Sequence, residues 1–203
     1  MQKKGRVQGA SADDLALSTA VAQAQDGDEA AFSVLYRSVQ PGLHAYLRGL
    51  LGEGAKDVAA AVWREIAREL PRFRGDGHGF RGWTASIARR HTRGHLRRHG
   101  APHNSAGTRA PVTGDRTDDP SPPRALLSAE TAQALVARLP HPQAEAVLLR
   151  HVIRLDEPAV ARVMSRPVLV VRVLERRGLR SLARLLDTSD VTHNVVRSLG
   201  EPG

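Results

Sequence analysis

The sequence predicts an all-α protein of two small helical domains joined by a flexible linker. Val, Leu, Ile and Ala dominate its hydrophobic residues and tend to recur at helical spacing, and no alternating strand pattern is evident. The 203 residues are enough for two domains of about 100 residues each. From 100 to 123 the texture changes to Pro, Gly, Ser, Asn, Thr and Asp with almost no large apolar side chains, the composition of a linker.

Thirty Lys plus Arg oppose 21 Asp plus Glu, a net charge of +9 that comes mostly from arginine. Such an excess favours a polyanionic partner and fast, salt-sensitive association. Cysteine is absent, so there is no disulfide framework and no thiolate metal site, which fits a reducing cytosol. No apolar run approaches the roughly 20 residues that span a bilayer, and MQKKGRVQGASADD lacks the apolar core of a secretory signal. A soluble, cytoplasmic protein without membrane insertion is expected.

Residues 1–12 are polar and predict disorder. A helix is expected from Asp13, with acidic residues in its first turn and Gly27 at its end. Asp28 can cap the next helix, whose Phe32, Leu35, Tyr36 and Val39 share one face. Pro41 then predicts the start of a further helix carrying Leu43, Leu47, Leu50 and Leu51, ended near Gly52 and Gly54. From Ala55 to Leu70 the stripe Val58, Val62, Ile66 and Leu70, with Trp63 and Ala67 adjoining, predicts a strong helix that Pro71 stops.

The stretch FRGDGHGFRGWTASIARRHTRGHLRR, residues 73–98, carries the strongest chemical signal. A glycine-rich loop with two aromatics leads into a helix that places Trp83, Ile87, His91 and Gly94 along one side and Arg89, Arg93 and Arg97 in a separate stripe. Arg90 and Arg98 add to the charge. Guanidinium groups held one turn apart repel unless solvent or a polyanion meets them, and phosphate oxygens suit arginine through bidentate hydrogen bonds. Aromatics beside arginines are what stacking on unpaired bases requires, so Phe73 and Phe80, with Arg74, join the candidate DNA-binding residues. The competing reading is a solvated basic face over rings that are simply core, and for Trp83 core is the better reading. His91, His95 and His99 share a face at metal-ligand spacing, but the surrounding arginines disfavour a dication and no nearby carboxylate offers a second shell, so no metal is expected. GDGHG lacks the Lys-Ser/Thr pair of a phosphate loop, and no catalytic constellation stands out, so neither a cofactor nor enzymatic activity is expected.

A second helical domain is expected from Arg124, with Leu126, Leu135, Val136 and Leu139 in its first helix, which ends at Pro140. Pro142 can open the next helix, where Val147, Leu148, Leu149 and Val152 supply apolar surface. Residues 187–203 read as a frayed tail.

FRGDG, FRGW, IAR and HLRR, in this order and spacing, resemble the promoter-melting and minus-ten-reading segment of the extracytoplasmic-function (ECF) sigma factors of bacterial RNA polymerase, in the sigma-70 superfamily. GDEAAFSVLY is similar to the start of the family's first helical segment, and the run from ALLSAETAQALV to SLARLL aligns without gaps to its C-terminal domain. The resemblance covers about residues 20–186. It implies sigma domain two over 13–99, a linker over 100–123 and sigma domain four over 124–186. It also implies a helix-turn-helix over about 156–177 that turns near Ser165.

The implied function is binding to core polymerase, promoter recognition, minus-ten melting and transcription initiation. The 55–70 helix would dock on the clamp of the largest subunit, where Asp57, Val58, Trp63 and Arg64 are the candidates, although Ala60 and Ala61 replace the family's Gln and Glu. Two missing polar contacts at about 1 kcal/mol each would weaken docking roughly tenfold or more, unless neighbours such as Arg64 and Glu65 compensate. The 72–80 loop would capture an unpaired base while Arg89, Arg90, Arg93 and Arg97 hold the backbone. Linker residues Asp115, Asp118 and Asp119 could mimic nucleic acid in the polymerase cleft, or simply solubilise a tether. The C-terminal domain would bind the flap of the second-largest subunit and the minus-thirty-five DNA.

In that domain Leu139, Pro140, Gln143, Glu145, Leu149, Arg150, Leu155, Ala161, Val171, Arg177 and Leu182 match the family, whereas Ser165 replaces its turn glycine and Leu169-Val170 its Gly-Thr. PVLVVRVLE offers few donors to a base edge, so Arg166, Arg172, Arg176 and Arg177 are candidates for phosphate contacts only. Two other readings stay open. One is a divergent helix-turn-helix regulator without core binding, and the other is a helical adaptor whose apolar Val168-to-Leu174 segment binds a protein such as an anti-sigma factor.

Overall fold

In a computed structural model, residues 12–100 and 129–199 are described, with side chains placed for 12–100 and 131–186; the expected linker and most of the first twelve residues lie outside these. Among the described residues every regular element is helical. Among the described residues no helix is long and apolar enough to cross a membrane.

The first half is a four-helix assembly of α1 (Ala12–Gln25), α2 (Glu29–Leu51), α3 (Ala55–Glu69) and α4 (Gly77–His99). Asp13 and Asp14 lie in the first turn of α1, and Asp28 caps α2 by accepting from the Ala30 and Ala31 amides. The expected break at Pro41 does not occur, and α2 continues through it to Leu51. Pro41 is on the exposed side, so the Arg37 carbonyl that loses its amide partner faces water, while Leu35, Val39, Leu43, Tyr46 and Leu47 hold the other side in the core. Val58, Val62, Ile66 and Leu70 form the buried stripe read from their spacing, and Pro71 sits in the single 3-10 turn that ends the helix.

The glycine-rich stretch is less of a loop than its composition implies. α4 begins at Gly77, with Asp76 accepting from the Gly79 amide, so only residues 73–76 connect. Gly77 is jammed against α1: a Cβ there would lie 2.1 Å from the Asp14 carbonyl oxygen, and its amide donates to Ser18 Oγ at 2.7 Å. A second tie is the Arg81–Asp14 pair at 3.3 Å, which places the start of α4 rigidly on α1.

The second half contains α5 (Ala129–Ala137), α6 (His141–Val147) continued by one π-helical turn at Leu148–Val152, α7 (Glu157–Met164) and α8 (Val168–Leu199). Asp156 caps α7, and Ser165 takes the left-handed conformation at φ 54°, which makes the turn where glycine is usual. α8 stays helical to Leu199 rather than fraying from 187, since no Gly or Pro lies between Gly178 and Gly200. The halves touch along α2, where Gly42 and Gly49 let Val152, Leu148 and Val136 approach closely, and where α7 lies on α4.

Candidate nucleic-acid interface

The basic segment lies on the second half of α4, beyond a buried face formed by Phe80, Thr84, Ile87, Ala88 and Thr92. Arg93, Arg97 and Arg98 project into solvent, with no acidic partner among the described residues. Arg90, also exposed, pairs with Glu65 of α3, whose second oxygen meets His91 Nε2 at 2.6 Å. Burial pushes the Glu65 carboxyl up, but the His91 hydrogen bond and the Arg90 charge outweigh it and hold the group below the ordinary carboxylate range. His91 therefore does have a carboxylate beside it, contrary to the sequence expectation. His95 instead stacks on His99, with ring centroids 4.3 Å apart.

Arg89 does not share the open stripe. Its side chain is only 12% exposed and its Nε donates to Glu145 Oε1 of α6 at 2.6 Å, with the Glu145 side chain 5% exposed. The Tyr46 hydroxyl donates to the same oxygen at 3.3 Å, and burial, with the Glu145 charge beside it, raises the Tyr46 phenol well above its usual value. One turn on, Arg93 is exposed, so of the two only Arg89 is paired with an acid of α6.

The aromatic assignments also change. Phe80 is fully buried and Phe73 is 8% exposed; they pack on each other and on Trp83 with centroids 4.9 to 5.7 Å apart. Neither phenylalanine presents a free face to a base, since both complete the core beneath the connection. Trp83, read as core, is half-buried and borders a groove of about 420 Å³ together with Arg74, His78 and the edge of Phe73. Ala159, Arg162 and Val163 of α7 close the opposite wall. Arg74 is exposed, and its Nη1 donates to the Pro71 and Phe73 carbonyls, which orients it beside this groove.

On α3, Asp57 and Arg64 are exposed and Trp63 is half-buried, edge-on to Phe32 and beside Tyr36. Val58 is buried, so it supports the helix from inside and offers no docking contact. In the second half Arg166, Arg172, Arg176 and Arg177 are all exposed, and Arg172 pairs with Glu157 at 2.7 Å.

Residues 35–101, from the middle of α2 to the end of α4, match the family model Sigma-70 region 2. The ECF RNA polymerase sigma factor ShbA of Streptomyces griseus is 30% identical over 179 residues, which cover 82% of this chain and 93% of ShbA. The chain belongs to the ECF sigma factors. This sigma factor is also 29% identical over 187 residues to the ECF RNA polymerase sigma factor BldN of Streptomyces coelicolor, covering 87% of the chain and 68% of BldN. Its fold is similar to that of CnrH, solved in complex with the cytosolic domain of CnrY, at a TM-score of 0.58 and 22% identity over 85% of the chain and 98% of CnrH.

Sequence reasoning about the sigma factor missed Tyr46 and His78, took Glu65 only as a neighbour that could compensate in docking, and treated Glu145 only as a match. Glu145 carried a usable signal: it is a lone carboxylate in the apolar run Ala144 to Leu149, where a buried acid needs a cation. Nothing in local spacing pointed to Arg89 as that cation, 56 residues away.

Proposed function

We propose that this sigma factor binds core RNA polymerase, recognises promoters and melts the minus-ten element, with 13–99 as sigma domain two, 100–123 as linker and 124–186 as sigma domain four. The observation that carries the reading is the set of exposed guanidinium groups, Arg93, Arg97 and Arg98, without an acidic partner among the described residues, on a helix anchored in the core inside the region-2 match. Arg90 can join them by exchanging Glu65 for phosphate. Asp57, Arg64 and Trp63 form the surface offered to the polymerase clamp. The flap of the second-largest subunit and the minus-thirty-five DNA fall to the second half. An anti-sigma factor is the further partner.

The groove beside Trp83 is the better place for an unpaired base than the Phe73 and Phe80 faces. One aromatic wall and the Arg74 guanidinium supply stacking and charge, worth about 1–3 kcal/mol against a flipping cost of a few kcal/mol. A base in the groove lies between Trp83 and α7, and separation of the halves would free Arg89 from Glu145 to meet phosphate.

Run-off transcription with purified core polymerase on a pool of genomic promoter fragments tests this. Protein-dependent transcripts with defined starts are expected. Failure to bind core polymerase would overturn the reading and leave a DNA-binding regulator or an adaptor.

A further inference from the structure

Resting on that reading of the second half, we propose that Leu169 and Val173 read thymine methyl groups in the major groove of the upstream promoter element. In the first two turns of α8, Val171 is fully buried and Val168 and Leu174 pack on the core. That packing turns Leu169 and Val173 outward, at 71% and 46% exposure, on one face one turn apart. No hydroxyl, amide or acid occurs from Val168 to Leu174, and the one polar side chain there, Arg172, is held by Glu157. Hydrogen-bond readout of base edges is therefore poorly supplied where a recognition helix would meet them.

An aliphatic side chain can still read one major-groove feature, the C5 methyl that distinguishes thymine. The surroundings favour DNA over an apolar protein groove. Exposed Arg166 in the turn before the helix and Arg172, Arg176 and Arg177 on it flank the aliphatic pair, and a major groove presents the complementary arrangement of phosphate walls and a floor bearing methyls. Side chains one helical turn apart, about 5.4 Å along the axis, span one to two base-pair steps of about 3.4 Å. Two nearby thymines are thus within reach of one docking pose.

The test uses holoenzyme reconstituted from the full chain and core polymerase, with duplexes randomised upstream of a fixed start region. Selected templates should be enriched in thymine at two nearby positions. Replacing each with deoxyuridine, which removes only the methyl, should weaken binding about threefold to fivefold. Leu169→Ser and Val173→Ser, at exposed positions where folding is spared, should each make the holoenzyme indifferent to the methyl at one position. Arg176→Ala should instead weaken thymine and uracil templates equally and reduce the salt dependence. Equal binding of thymine and uracil templates by the unmodified protein overturns the inference while leaving the sigma reading intact. Methyl-independent loss of function in Leu169→Ser would also overturn it and reassign the face to a protein. Absence of any core binding would remove both.

Discussion

The interior of the first half and the seam between the halves are both buried, yet they are built from different materials. The interior is aliphatic and aromatic: Leu35, Leu47, Val62, Ile66 and Phe80 are all fully buried, without a charge among them. The seam joins smooth glycine surface on α2 to Leu148 and Val136, but its centre is the ion pair of Arg89 and Glu145 with Tyr46 attached. His141, close to that pair, has its buried Nε2 without a hydrogen-bond partner among the described residues. A buried ion pair roughly balances its own desolvation cost, whereas apolar burial is a net gain. The apolar side chains of both halves join one hydrophobic cluster, so the charged centre of the seam is the part that a polyanion can compete for.

The largest effect is expected from Phe80→Ala, which opens a cavity beneath Trp83 and should cost about 3–5 kcal/mol in urea unfolding. A loss below about 1 kcal/mol, with impaired melting of promoter DNA, would return Phe80 to a direct role. Next is Glu145→Ala, which strands the Arg89 guanidinium at a cost of about 3 kcal/mol if the seam stays closed. Separation of the halves relieves that cost, so two cysteines, one introduced in each half of this cysteine-free chain and labelled, should report a longer distance. An unchanged distance together with a full stability loss would mean that the seam is as firm as the core.

Gly49→Leu attacks the same seam sterically. A Cβ at Gly49 already lies 2.9 Å from the Leu148 side chain, so a leucine should cost about 1–3 kcal/mol and open the halves, whereas Gly49→Ala should be nearly neutral because Leu148 can yield. The pH response is smaller. Burial holds the His141 imidazole below its ordinary 6.5, with Glu145 opposing and Arg89 and Arg93 reinforcing the shift. The folded state then binds fewer protons than the unfolded one below that value. Stability is complete above pH 6.5 and declines as the pH falls through it towards the folded-state value. His141→Leu should remove this part of the acid sensitivity in melting curves. Smallest is Arg90→Ala: the exposed pair with Glu65 contributes no more than about 1 kcal/mol to folding, but its loss should weaken DNA binding and lower the salt slope by about one.

Much of the fold was legible because it depends on short-range rules. The Val58 to Leu70 stripe, the Asp28 cap and the Pro71 stop each follow from residues within one or two helical turns, whereas the turn near Ser165 was implied by the family resemblance. Pro41 misled for the same reason: a local rule marks it as a helix start, and only the packing of α2 on both flanks shows that the helix runs on. At the candidate site, composition located the arginines on α4 but could not rank them. Arg89 and Arg93 are chemically identical and four residues apart, and one is sequestered by Glu145 while the other is open to solvent.

The sequence by itself determined the all-helical class, the basic character of α4 and the membership in a family that acts on DNA. These are properties of neighbouring residues, so periodicity and motif spacing report them directly. Tertiary structure alone decided that Phe73 and Phe80 are core, that Trp83 borders the groove, and that Arg89 faces Glu145 rather than solvent. Each of those outcomes depends on which distant helix approaches which edge of α4, and side-chain exposure is set by that approach.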